Sequence, residues 1–203
     1  WRPNFPMVHI LPHWNWPDRV GQVTPVHLFT TGDEAELFLN GRSMGRKKKG
    51  DLEYRIRWDD ILYEPGELKA IAYKDGDKWA EEVVFTTGEP FSLQMEADRS
   101  IIAANGDDLS FVTVKVIDSE GRVVPDAVLP VNFTIEGLGE IVATDNGNAT
   151  DMTPFHSTSR DTFSGRCLVI VRGNRNNSGE ITIKAESPGL RESSITNITE
   201  ILL

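Results

Sequence analysis

Phe111-Val112-Thr113-Val114-Lys115-Val116-Ile117 is the stretch that decides the fold class. Successive side chains of an extended strand point to opposite faces, so Val112, Val114 and Val116 share one side while Thr113 and Lys115 share the other. The β-branched valines also favour a strand over a helix. The same period of two recurs in Val131-Asn132-Phe133-Thr134-Ile135 and in Ile181-Thr182-Ile183-Lys184-Ala185. Each stretch predicts a half-buried strand with one face on a core. Helical periodicity is nearly absent elsewhere.

The segments between such runs carry turn chemistry. Asn40-Gly41 separates Glu36-Leu37-Phe38-Leu39 from Arg42-Ser43-Met44, and Asn-Gly suits a type I′ hairpin, where both central residues need positive φ. Asp75-Gly76 separates two further apolar runs, Glu120-Gly121 follows Asp118, and Pro65-Gly66 precedes a strand. Many short strands at this spacing predict a sandwich or barrel, not a parallel α/β sheet.

A chain of 203 residues is long for one sandwich and comfortable for two of about 100 residues each. The expected fold is all-β: two tandem immunoglobulin-like or fibronectin III-like β-sandwiches. Thr87-Gly88-Glu89-Pro90 marks the expected boundary, giving one sandwich over 18–88 and a second over 89–203, joined by a short linker that allows limited freedom. Residues 1–17 differ. They hold Trp1, Trp14, Trp16, Pro3, Pro6, Pro12 and Pro17, and are expected to lie extended across a neighbouring surface. The chain opens at Trp1 instead of Met, so it is expected to be an excised fragment whose parent's leader is not visible.

The formal net charge is −10, and no apolar run approaches the roughly 20 residues that cross a bilayer. Residues 1–88 carry 12 basic against 14 acidic side chains, and residues 89–203 carry 9 against 17. An acidic surface argues against nucleic acid and anionic membranes as partners. It fits a neutral ligand or none. The basic block Arg46-Lys47-Lys48-Lys49 falls in a hairpin arm and reads as a solvated edge. The single cysteine, Cys167, cannot form an internal disulfide, and its apolar neighbours predict a small buried side chain.

Candidate chemistry is sparse. Asp98, Asp107, Asp108, Asp118, Asp126 and Asp145 nearly all adjoin Gly, Asn or Pro, where Asp bonds its own backbone in turns. His9 and His13 stand four apart with Pro12 between them, so no helix presents them to a metal, and His27 and His156 are isolated. Asp145-Asn146-Gly147-Asn148 with Asp151 faintly resembles a calcium loop but lacks its spacing and its terminal glutamate. No metal site, cofactor, phosphate loop or Ser-His-Asp signature is expected. The aromatic group His13, Trp14 and Trp16 is the functional candidate. Indole faces stack on sugar rings, and the same residues equally suit docking onto a neighbouring domain.

Four phrases, taken together and in order, resemble the C-terminal region of glycoside hydrolase family 2 enzymes, the β-galactosidase-like members common in gut Bacteroidetes. They are Pro6-Met7-Val8-His9-Ile10-Leu11-Pro12-His13-Trp14-Asn15-Trp16; the hairpin Ala35 to Gly45; Tyr63-Glu64-Pro65-Gly66-Glu67-Leu68 with Tyr73-Lys74-Asp75-Gly76; and Asp107 to Val114 with Asp118-Ser119-Glu120-Gly121 and Asp145-Asn146-Gly147. The resemblance implies a parent with a catalytic (β/α)8 barrel ahead of this chain. Both catalytic glutamates of the family lie on barrel strands, so none carries over. The expected partner is that missing barrel, with carbohydrate a second possibility. The parent's reaction would be hydrolysis of a terminal β-linked sugar, most often galactose, though glucuronidases and mannosidases share the fold. A periplasmic or outer-surface location is likewise implied. In a bacterial protein the sequons at Asn132, Asn148, Asn176 and Asn197 are accidents of composition.

Three readings follow: a non-catalytic accessory pair on the barrel, a carbohydrate-binding module using exposed aromatics, or a cell-surface adhesive array. A module predicts tryptophans gathered on one sheet face, whereas Trp58 and Trp79 sit singly in strands. An array predicts repeated copies, whereas the two halves differ.

Overall fold

The computed structural model describes residues 4–200, so Trp1 and Pro3 lie outside the described residues. Two compact units divide between Thr86 and Thr87, and among the described residues both are built of strands, with one 3-10 turn at Pro17–Arg19.

The first unit has seven strands: β1 (Val8–Leu11), β2 (Val26–Thr30), β3 (Glu34–Leu39), β4 (Arg42–Lys48), β5 (Ile56–Trp58), β6 (Glu67–Lys74) and β7 (Asp77–Phe85). They form a three-stranded sheet in the order β1-β2-β5 and a four-stranded sheet in the order β4-β3-β6-β7. This is an immunoglobulin-like, fibronectin III-like sandwich. The register Ala35↔Ala72, Leu37↔Ala70 and Leu39↔Leu68 places small side chains in the middle of the larger sheet's inner face. Trp14, Trp58 and Tyr63 are fully buried in the same core, so large side chains complement small ones.

The expected Asn40-Gly41 hairpin is present, with φ of 49° and 76°. Asn40 also ties a second turn: its Oδ1 accepts from Glu67 N at 2.9 Å and its Nδ2 donates to Pro65 O at 3.1 Å. Strand β4 lies at a sheet edge, its basic side chains are exposed, and Arg42 and Arg46 are paired with Glu64 and Glu34. Arg46 meets Glu34 at 2.7 Å and stacks over Tyr73, as a charged edge requires to resist further pairing.

The expectation that residues 1–17 stand apart from the first sandwich is corrected. Val8–Leu11 pairs antiparallel with Leu11↔His27 through Val8↔Thr30, and Val8 and Ile10 enter the core. The prolines at 6 and 12 flank this short strand without interrupting its ladder, as prolines at strand ends can.

The second unit comprises β8 (Ser92–Ala97), β9 (Ile101–Ala103), β10 (Leu109–Ile117), β11 (Pro130–Gly137), β12 (Gly139–Asp145), β13 (Ser159–Asp161), β14 (Arg166–Gly173), β15 (Gly179–Glu186) and β16 (Ser193–Glu200). One sheet runs β12-β14-β10-β8 and the other β13-β11-β15-β16-β9. The chain changes sheet between β8 and β9: β8 pairs antiparallel with β10, and β9 runs parallel to β16. The short β9 thereby covers the edge of a long strand. Val112, Val114 and Val116 face inward with Val131, Phe133, Ile181 and Ile183, as the period of two requires. Cys167 is buried among them, and burial pushes its thiol up to about 12.

Candidate functional site

Strand β1 ends at Leu11 and the chain then packs back on its own sandwich. Trp14 is 1% exposed. Its ring lies 4.9 Å from that of Tyr63 at 59°, and its Nε1 donates to Glu64 O at 3.0 Å. Thr86 Oγ1 donates to Trp14 O at 2.8 Å and meets Tyr63 OH at 2.9 Å. A buried indole with its N–H satisfied is a core anchor. The sugar-platform reading is corrected for Trp14, because no face of its ring reaches solvent.

His13 and Trp16 are half-buried and form a pair. Their rings stack with centres 4.4 Å apart at 18°, and Trp16 Nε1 donates to His13 O at 2.9 Å. The Arg19 guanidinium carbon lies 5.9 Å from the Trp16 ring centre. One indole face is therefore already covered by imidazole. Thus two of the three predicted residues meet at the surface and the third goes inside. Next to the pair, exposed Val20 and Val23 follow the 3-10 turn, and Val23 bridges exposed Leu62.

Asp118 orders a turn, and Asp98, at the end of β8, bonds the strand beside it. Asp118 Oδ1 accepts from Glu120 N and Arg122 N at 2.9 Å, and Oδ2 from Gly88 N at 3.0 Å. Burial raises its pKa, but these N–H donors outweigh burial and hold the carboxyl below its ordinary value. Asp98 behaves alike: burial opposes, and Phe111 N–H, Arg99 and Ser110 together lower it. A general acid needs the opposite shift. The histidines do not converge. His9 meets Glu82 at 3.2 Å, His27 meets Arg55 at 3.1 Å, and His156 is exposed. Burial first, then Arg55 and Arg57, lower the His27 pKa against the pull of Asp59. No group of three metal-ligating side chains occurs among the described residues.

One centre escaped the sequence reading. Arg160 on β13 is 2% exposed and donates to Asp151 Oδ2 at 2.9 Å, Thr153 O at 2.9 Å, Thr144 O at 2.7 Å, Pro154 O at 3.0 Å and Thr144 Oγ1 at 3.3 Å. Asp151 also accepts from Asn146 Nδ2 at 2.9 Å and Thr153 N at 2.8 Å. The segment that faintly resembled a calcium loop is thus ordered by an arginine. The only sequence signal was an acid nine residues ahead of a basic residue in a polar run.

Residues 93–196 match the family described as glycoside hydrolase family 2 C-terminal domain 5. The chain belongs to this family. Residues 21–80 match a domain of unknown function, DUF4982. The β-galactosidase BoGH2A of Bacteroides ovatus is 40% identical over 188 residues, which cover 92% of this chain and 22% of that protein. A β-glucuronidase of Formosa agariphila is 30% identical, covering 97% of this chain and 20% of that protein. The crystal structure of a β-glycosidase from Bacteroides vulgatus superposes with a TM-score of 0.90 at 28% identity, covering 96% of this chain and 25% of that one. The chain therefore spans about a fifth of the length of these curated relatives. Among the described residues no helix is long and apolar enough to cross a membrane.

Proposed function

We propose that these family 2 C-terminal sandwiches are the non-catalytic end of a larger glycoside hydrolase, whose barrel hydrolyses a terminal β-linked sugar. Coverage carries this reading: relatives named β-galactosidase and β-glucuronidase contain this chain as about a fifth of their length. The carboxylates support it. Glycoside hydrolysis needs one carboxyl raised to act as acid near a second that stays ionised. Asp98, Asp118 and Asp151 are instead held below their ordinary values by hydrogen bonds.

The role is positional. The first unit docks on the barrel through the His13–Trp16 stack and the exposed Val20, Val23 and Leu62, an apolar surface next to residues that are themselves locked in place. A carbohydrate-binding role for Trp14 loses its support with that ring in the core. A periplasmic or outer-surface location belongs to the same reading, and recovery of the parent in the cytoplasmic fraction would contradict it.

Chromogenic β-galactosides and β-glucuronides test the non-catalytic claim. The 203-residue chain is expected to turn over neither. Turnover abolished by replacing one Asp or Glu here overturns the proposal. In the parent, Trp16→Ala with Leu62→Ser is expected to lower the barrel's melting temperature, and an unchanged value rejects docking through this surface.

A further inference from the structure

The outward face of sheet β1-β2-β5 gathers basic and aromatic side chains on an acidic molecule. Alternate positions of these strands are spent on the core, so His27 and Phe29 of β2 and Arg57 of β5 point outward, with His27 directly opposite Arg57. Arg55, just ahead of β5, lies half-buried against this face. Its Nη1 donates to His27 Nδ1 at 3.1 Å, which leaves the imidazole proton on Nε2 and fixes the guanidinium. The Arg55 guanidinium carbon is 5.4 Å from the Tyr54 ring centre, and Tyr54 stacks on Phe29 with centres 6.2 Å apart. Tyr54 keeps 61% of its surface exposed.

Charge is unbalanced here. Arg57 is held by Asp59 at 2.8 Å, and Lys47, whose ammonium lies over the buried Trp58 ring, donates to Arg57 O at 2.7 Å from the strand's edge. Arg55 makes no ion pair among the described residues. Beside His27, two guanidinium groups thus face one carboxylate, on a half of the chain with more acidic than basic side chains, while Glu82 meets His9 at the opposite edge of the sheet. Like charges held together at a surface favour the arrival of an anion.

We propose that this face binds an acidic saccharide, a chain carrying carboxylate or sulfate groups. The Arg55 fork takes the anionic group, as a planar guanidinium matches a carboxylate or sulfate with paired N–H donors. The exposed Tyr54 ring lies under the C–H face of the sugar. Charge complementarity selects the anion, and the open aromatic face selects a sugar over a bare ion. The assignment holds whether or not a catalytic barrel precedes these sandwiches.

Calorimetric titration of the whole chain at low salt tests it, with oligogalacturonates against neutral xylo-oligosaccharides of equal length, and inorganic sulfate as the ion alone. The acidic oligomer is expected to bind about tenfold more tightly than the neutral one and to weaken as salt rises. Arg55→Gln and Tyr54→Ala should each weaken it by about tenfold, with unchanged circular dichroism, and Arg55→Lys should recover only part. Absent or non-saturable binding, equal binding of the neutral oligomer, or indifference to Arg55→Gln overturns the proposal. So does sulfate competing as strongly as the oligomer while Tyr54→Ala has no effect, since the face is then a simple anion site.

Discussion

The buried guanidinium of Arg160 meets the Asp151 carboxylate at 2.9 Å and spends its other N–H groups on Thr144, Thr153 and Pro154. A guanidinium has five donors, and all five are used. Arg160 thus ties Asp151, Thr153 and Pro154 to Thr144 of β12, alongside bonds from Thr144 N to Phe155 O and from Phe133 N to Thr158 O. The arrangement withstands the cost of burying a charge because every group in it has a partner.

Arg160→Met keeps the length of the side chain and removes every donor. Three carbonyls, the Thr144 hydroxyl and the Asp151 carboxylate then each lose a donor, and a buried acceptor left unmet costs about 1–3 kcal/mol. All five tryptophans and all three tyrosines precede residue 80, so indole emission reports the first unit alone. Reactivity of Cys167 reports the second. The urea midpoint for thiol exposure should fall sharply in Arg160→Met, and an unchanged midpoint would show that the loop does not depend on the arginine.

Acid should unfold the second unit through the same groups. Asp151 is held well below its ordinary value of 3.8, first by the Thr153 N–H and then by Arg160. Asp98 and Asp118 are lowered as well, their hydrogen bonds outweighing burial. A carboxyl lowered by folding stabilises the fold above its unfolded value, and that contribution is lost as pH falls through the folded one. Stability should therefore stay flat from pH 7 to about 5 and fall below about 4. Circular dichroism in urea across that range checks it, and Asp118→Asn should flatten part of the acid limb.

Strand period and turn chemistry are local properties, so the strands around Val114, Phe133 and Ile183 and the Asn40-Gly41 hairpin were legible in the sequence. What is not local was hidden. The parallel pairing of Ile102 with Thr199 joins residues far apart in the chain, and no period announces it. Val8–Leu11 is only four residues long between prolines and reads as a connector. The burial of Trp14 follows from where that connector turns, which an aperiodic segment does not record. Arg160 lies in Ser157-Thr158-Ser159-Arg160-Asp161, a polar run that reads as exposed loop. Its burial is possible because the carbonyls of Thr144, Thr153 and Pro154, which the polar pattern does not bring together, converge on it.

Cys167 should be inert in the native state. Burial pushes its thiol up to about 12, so almost no thiolate exists at neutral pH, and the sulfur is shielded as well. An aromatic disulfide reagent should react with the chain only at the rate of opening, and stoichiometrically once urea unfolds the second unit. Rapid labelling without denaturant would contradict this burial.

Trp14 and Trp16 stand two residues apart and should behave differently. Trp14 fills the core beside Tyr63, and its indole N–H is bonded to Glu64 O. Trp14→Ala therefore opens a cavity and frees a buried carbonyl, at a cost of about 3–5 kcal/mol. Trp14→Phe keeps most of the packing and loses the hydrogen bond, so its cost should lie near 1 kcal/mol plus a smaller cavity, on the order of 2 kcal/mol together. Trp16 is half-buried, and removing it breaks one ring stack and one bond to His13 O. Trp16→Ala should cost the isolated chain only about 1 kcal/mol. Urea titration followed by the remaining indole emission ranks the three variants. If Trp16→Ala proved as costly as Trp14→Ala, the indole of Trp16 would belong to the core, and the docking surface assigned to it would have to be given up.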